Sequence, residues 1–223
     1  MESVEWRKLT LKSNRMSFKK IILTGFMPFG DYAVNPVQHI AEHFNGKIIG
    51  QYGKRKVIGM VLPCGYFSAF HILSQAIDEI KPTAIISMGL SSSVKGIRIE
   101  TRFRNKMHSK YADCDGYKPV HTRIKQIARG YYEATADAQL LASTLSKNNI
   151  SNEISTNADS FICNSLGYLT TRKIVISNLH ITNTLIHIPW TDEYKDQIVL
   201  SPKKLYMKKE EVYEAFNLLL DTI

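Results

Sequence analysis

From Lys19 onward the chain alternates apolar runs with stretches of helical spacing. KKIILTGF (19–26) packs aliphatic and β-branched residues together and predicts a buried strand; MPFGDYAVNP (27–36), broken by Gly30 and two prolines, predicts a loop. VQHIAEHF (37–44) has the spacing of a helix, KVIGMVLP (56–63) predicts a strand, YFSAFHILSQAIDEIK (66–81) a helix closed at Pro82, and TAIISMGL (83–90) another strand. Farther along, ATADAQLLASTLSKNN (134–149) and the terminal KKEEVYEAFNLLLDTI predict helices, the latter with acidic residues in its first turn where they suit the helix dipole. NEISTNA (152–158) predicts a short strand or extended loop, CNSLGYLTTRKI a helix, and TNTLIHIPW (182–190) a strand. The pattern weakens between 101 and 133, where irregular structure or a long hairpin is expected. This order of strands and helices implies an α/β fold with a largely parallel sheet covered by helices.

The patterned chain runs over 19–223 and reads as a single domain; residues 1–18 read as a basic extension. That extension has neither the apolar core nor the small-residue cleavage site of a secretory signal. No apolar stretch approaches the roughly 20 residues of a membrane span. Three cysteines, Cys64, Cys114 and Cys163, cannot all pair within one chain, so a reducing, cytoplasmic setting is the natural expectation. The net charge of +9 would suit a polyanion, but lysine and arginine recur in short clusters between core segments, and no zinc-finger or RNA-recognition spacing accompanies them. Solvated surface charge is the simpler reading, and no nucleic-acid or membrane partner is expected.

Open α/β sheets place reactive groups near the ends of strands and in the loops that follow. Glu100, Cys163 and His187 stand at such places. A thiol hydrolase needs a thiolate, an imidazole to move its proton, and an acidic group to hold that imidazole in its working tautomer. Taken singly, each residue also has an ordinary use: Cys163 as core filling, His187 between Ile186 and Ile188 as a core histidine, Glu100 as a surface carboxylate neutralised by Arg98 or Arg102. His39 and His43 have the i, i+4 spacing of metal ligands but lack the glutamate of a zinc-peptidase helix. Neither a metal nor a nucleotide cofactor is implied.

Four segments, ILTGFMPFGDYAVNP, MGLSSSVKGIRIETRFRN, STNADSFICN and LIHIPW, together resemble the pyroglutamyl peptidase type I family, the pyrrolidone carboxyl peptidases. The similarity runs from about Lys19 to the terminal helix. It implies a three-layer α/β/α fold with a twisted central sheet, a homo-oligomer (dimer or tetramer), and a cytoplasmic cysteine peptidase that removes N-terminal pyroglutamate from peptides. The family's catalytic glutamate, cysteine and histidine fall on Glu100, Cys163 and His187, at intervals of 63 and 24 residues. Phe26, Phe29 and Asn35 resemble the family's substrate loop, and Phe161 and Ile162 lie where the resemblance implies a pocket wall.

Departures from the family pattern cluster around these residues. Asp31 and Asp159 stand where glycines are usual, and an aspartate at 159 is expected to strain a glycine turn. Lys110 takes the place of an arginine beside the oxyanion site, keeping the charge but not the planar fork. Thr101, Arg102 and Phe103 replace the usual residues after Glu100, and Tyr111 stands at a pocket position. The resemblance thus implies an omega-peptidase with a Cys-His-Glu triad. The alternatives are a family member with altered or attenuated activity that binds peptides and, further off, a basic nucleic-acid-binding module.

Overall fold

The computed structural model describes residues 18–50, 54–196 and 205–223. The extension expected over 1–18 therefore lies, except for Phe18, outside the described residues. In chain order the elements are β1 (Lys19–Phe26), α1 (Pro36–Phe44), β2 (Ile48–Ile49), β3 (Arg55–Leu62), α2 (Ser68–Ile80), β4 (Ala84–Leu90), β5 (Ile97–Glu100), β6 (Arg102–Arg104), β7 (Tyr131–Glu133), α3 (Ala138–Lys147), β8 (Asn152–Ser155), α4 (Ile162–Ile176), β9 (Thr182–Ile188), β10 (Trp190–Thr191), β11 (Tyr206–Met207) and α5 (Lys209–Thr222).

Seven strands form the central sheet in the order β2-β3-β1-β4-β9-β5-β8. β3, β1, β4 and β9 run parallel, and they carry the longest apolar runs because helices cover both of their faces. β5 runs antiparallel to β9 and carries β8 with it, so one edge of the sheet is reversed. Contacts put α1, α3 and α5 together on one face, while α2 and α4 pack against each other on the other. The largely parallel α/β/α expectation holds. β5 was not anticipated: IRIE alternates apolar and charged residues, and of the charged pair Glu100 is fully buried while Arg98 stays partly exposed.

Segment 101–133 is pinned as a long arm. β6 pairs with β7, and Met107 bridges Thr122. Asn164 of α4, fully buried, accepts from Arg104 N at 2.7 Å and donates to the carbonyls of Arg104 and Lys106 at 2.8 and 2.9 Å. Asn105 ties the far side of the arm to Lys125 by two bonds. These amides satisfy backbone groups that the irregular chain would otherwise bury unpaired. α3 begins at Ala138, later than the pattern suggests. Asp137 caps it by accepting from Leu140 N, and the backbone of Thr135 and Ala136 bonds to Asn183 instead.

Two glycines set how closely α1 approaches the sheet. A Cβ on Gly25 would lie 2.0 Å from the carbonyl oxygen of Val37, and one on Gly59 would lie 2.0 Å from that of Ala41. Backbone on backbone leaves nothing flexible to give way. We expect Gly25→Ala and Gly59→Ala each to cost about 3 kcal/mol or more by denaturant unfolding. Gly130→Ala, at a site with open space, serves as the control and should leave the midpoint nearly unchanged.

Candidate active site

His187 lies near the end of β9, and the antiparallel register sets Glu100 opposite Leu185. Leu185 and His187 share a face, so Glu100 and His187 are diagonal neighbours across the two strands. The Glu100 carboxylate meets His187 Nδ1 at 2.8 Å. Glu100 is fully buried and His187 is 7% exposed. The arginines that might have made Glu100 an ordinary surface charge are engaged elsewhere, Arg98 with Glu153 and Arg102 with Glu133.

Cys163 is the second residue of α4 and is partly exposed. Its position relative to the imidazole is fixed by what Gly89 lacks. Gly89 pairs with His187 in the β4–β9 register, and a Cβ there would lie 2.7 Å from Cys163 Sγ, 2.7 Å from His187 Cδ2 and 3.0 Å from His187 Nε2. The thiol thus shares the small volume above Gly89 with the Nε2 edge of the ring, opposite the edge held by Glu100. Burial acts to lower the His187 pKa, but the negative charge of Cys163, a hydrogen bond to it, and Glu100 together raise it well above the ordinary value. The proton that thiol and imidazole exchange belongs to the pair rather than to either residue alone.

The helix adds to this. Phe161, in the capping position of α4, provides no side-chain acceptor, so its side chain takes none of the first-turn N–H groups. Cys163 thus sits in the first turn of a 15-residue helix, the end whose N–H groups can serve as donors to an oxyanion. Cys64 makes the contrast clear. Burial pushes its thiol up to about 12, and its sulfur lies 3.2 Å from the Met27 carbonyl oxygen, so it stays protonated.

Beside Phe161 opens a cavity of about 830 Å³. Phe29, Phe161 and Lys110 line it; Cys163, two residues beyond Phe161, is not among the lining residues. The rings of Phe29 and Phe161 lie 6.4 Å apart, and Tyr66 supports Phe161 edge-on at 5.6 Å. Phe26, Asn35 and Ile162 do not line this cavity. Phe26 and Ile162 are buried in the main core. Asn35 shapes the loop from beneath: it caps α1 by accepting from Val37 N and donates to the Met27 carbonyl at 3.1 Å. Asp159 holds φ at +64°, the left-handed conformation that explains why a glycine would suit it. His39 meets the phenol of Tyr194, and His43 packs against Phe44 and Tyr213; neither faces the thiol. Gly89, Asn164 and Tyr66 were not singled out from sequence. Gly89 alone had a visible signal, a glycine interrupting the apolar run of a buried strand.

The model of the pyroglutamyl peptidase family matches residues 19–217. The chain belongs to the pyroglutamyl peptidase family. The pyrrolidone-carboxylate peptidase of Thermococcus litoralis is 34% identical over 181 residues, covering 81% of this chain and 80% of the relative. That of Bacillus mycoides is 29% identical over 175 residues, covering 78% and 80%. Among solved structures, pyrrolidone carboxyl peptidase from T. litoralis superposes with a TM-score of 0.84 at 32% identity, covering 92% of this chain and 93% of that one. Pyroglutamyl peptidase I from Bacillus amyloliquefaciens gives 0.84 at 25% identity, covering 92% and 96%.

Because Gly89 makes room for sulfur and ring together, Gly89→Ala must push one of them aside. We expect it to fold with a loss of about 1–3 kcal/mol. Its kcat/KM on a pyroglutamyl amide should fall at least roughly 100-fold, since displacing reacting groups by about 1 Å is enough. Steady-state kinetics beside a denaturation curve separates the two effects.

Proposed function

We propose that this protein is a cysteine-type omega-peptidase that removes N-terminal pyroglutamate from peptides, with Cys163 as nucleophile, His187 as proton carrier and Glu100 as its orienting partner. The observation that carries this reading is the buried Glu100–His187 bond with the sulfur at the opposite edge of the imidazole. The thiolate of Cys163 attacks the carbonyl that joins the pyroglutamyl ring to the next residue. Negative charge gathers on that oxygen, where the first-turn N–H groups of α4 receive it, with Lys110 supplying further positive charge from the cavity wall. His187 then gives its Nε2 proton to the departing amine, leaving a thioester on Cys163. Water enters, gives a proton to His187 and attacks the thioester; collapse releases pyroglutamate and restores the thiolate–imidazolium pair.

Phe29 and Phe161 suit the flat apolar faces of the lactam, and the cavity they share is where the peptide would enter. The peptidase domain in this reading spans 19–223, with 1–18 as an addition to it. A reducing compartment such as the cytoplasm fits a nucleophile that must remain a free thiol beside two other free cysteines. Exposed apolar side chains at Ile48, Phe67 and Ile72 fit a homo-oligomer. No helix among the described residues is long and apolar enough to cross a membrane.

A fluorogenic pyroglutamyl amide tests the reading directly: native protein should turn it over and Cys163→Ala should not, whereas substantial turnover by the alanine variant would remove Cys163 from the role. Glu100→Gln keeps shape and removes charge. It should lower kcat by roughly 100-fold or more.

The same variant tests the proton balance. The raised His187 pKa means the imidazolium persists through neutral pH, so the alkaline limb of the pH–rate profile should move downward in Glu100→Gln. For stability the sign is set by a folded-state pKa above the unfolded one. The pair's contribution is complete below the unfolded value and is lost as pH rises through the folded one. The difference in Tm between native protein and Glu100→Gln should therefore narrow on going from mildly acidic to strongly alkaline buffer.

A further inference from the structure

The cavity next to Phe161 is too large for the group that the proposed reaction removes. At about 830 Å³ it falls in the range that holds a drug-sized ligand, many more atoms than one five-membered lactam. Space beyond the ring is space for the residues that follow it, and the character of the walls there decides which residues are accepted.

Those walls are negative on a protein that is otherwise strongly positive. The whole chain carries +9, yet the cavity is lined by Asp31, Asp113 and Asp159 against a single cationic residue, Lys110. His108 also lines it; burial, with the nearby His121, Lys106 and Lys110, lowers its pKa, so it adds no positive charge near neutrality. Asp113 accepts from the backbone N–H groups of Tyr66, Asp115 and Tyr117, holding the loop. Asp31 and Asp159 are exposed and stand on the two segments that carry Phe29 and Phe161. Asp159 lies four residues before the nucleophile, no more than about 15 Å of chain, within reach of the side chain of the residue after the scissile bond.

We propose that Asp31 and Asp159 are specificity-determining residues that favour peptides carrying a cationic side chain directly after the pyroglutamyl residue. The inference rests on the peptidase reading given above and adds to it the class of the second residue. The amine of that residue, which becomes the leaving group, sits at His187, while its side chain extends into the negative part of the cavity. There a lysine or arginine is attracted and a glutamate repelled. Because both carboxylates are open to solvent, the discrimination is moderate and weakens with salt.

The test compares three peptides, pyroglutamyl-lysyl, pyroglutamyl-alanyl and pyroglutamyl-glutamyl amides, by release of the second residue's amine at low and high ionic strength. The native protein should show kcat/KM about 10-fold higher for the lysyl than for the glutamyl peptide at low salt, with the ratio shrinking at high salt. Asp31→Asn and Asp159→Asn should each lower that ratio by about 2- to 3-fold, and the double variant should bring it near unity, the alanyl peptide serving as reference within each variant. The salt dependence of the native protein gives a reading even if a variant fails to fold. Hydrolysis of all three peptides at equal, salt-independent rates, or a preference that survives in the double variant, overturns the specificity while leaving the peptidase intact. Failure of the native protein to cleave the alanyl peptide instead overturns the peptidase reading and this inference with it.

Discussion

A carboxylate with no exposure to water governs the organisation of this molecule. Glu100 has one oxygen on His187 Nδ1, and its other oxygen has no hydrogen-bond partner among the described residues. Burying such a charge is costly unless an opposite charge stands against it, and removing the partner from a buried pair typically costs about 3–5 kcal/mol. The imidazolium of His187 is that opposite charge, and it persists because Cys163 adds negative charge on the ring's far side. Glu100 and Cys163 therefore flank the imidazolium from its two edges. The pairing of β5 with β9 brings Glu100 and His187 together; the N-terminus of α4 delivers Cys163.

That arrangement depends on what is left out as much as on what is present. Gly89 vacates the volume in which sulfur and ring meet, and Gly167 leaves room for the Phe103 ring, where a Cβ would lie 2.3 Å from Cδ1. Phe103 belongs to β6, two residues past the β5 strand that ends in Glu100. Asn164, adjacent to the nucleophile, bonds the backbone on either side of Asn105. Helix α4 thus holds the arm over 101–133 through the Phe103 contact at Gly167, the amide of Asn164, and Tyr168, which donates to the Arg129 carbonyl and packs edge-on against Tyr132, and that arm contributes His108, Lys110 and Asp113 to the cavity. Cys163 and much of the cavity wall are positioned by the same helix.

Strands β1, β3 and β4 and helices α1, α2 and α5 were legible in the sequence because each either runs apolar through a sheet covered on both faces or presents a single apolar stripe. β5 was not, and the reason is physical. Its apolar face, Ile97 and Ile99, and its charged face, Arg98 and Glu100, read as a strand half in water; Arg98 does stay partly exposed beside Glu153, but Glu100 is fully buried against His187 of the neighbouring β9. Helix α4 has a related ambiguity. Residues Asn164 through Thr171 are all buried, so no polar stripe marks its outside; Asn164, Ser165 and Thr171 are hydrogen-bonded inside the fold, while the Thr170 hydroxyl is buried without a partner among the described residues. The order and spacing of Glu100, Cys163 and His187 could be read from the chain, but the carriers that align them, Gly89 and Asn164, act through absence or through the backbone and leave little trace in residue type. Phe26, Asn35 and Ile162 show the converse. Their neighbourhood in sequence is that of the pocket, while their side chains serve the core and the cap beneath it.

The left-handed backbone at Asp159 connects the fold to the chemistry. A non-glycine residue there carries strain of order 1 kcal/mol, less for aspartate than for most because its short polar side chain suits this conformation. Glycine would relieve the backbone and present no charge. Asp159 instead presents a carboxylate to a cavity that Asp31, on another loop, also lines, and each adds negative charge to a region of a strongly basic chain. A thiolate nucleophile gains nothing from nearby carboxylates, since they oppose the negative charge that develops during attack. The helix N-terminus and the imidazolium act on the sulfur at shorter range and in a more buried setting than these exposed side chains, so their influence dominates there. Farther out, where solvent enters the cavity, the aspartates meet the peptide rather than the sulfur. The two electrostatic regions are separated by depth: positive around the His187 imidazolium and the α4 N-terminus, negative where Asp31 and Asp159 line the cavity.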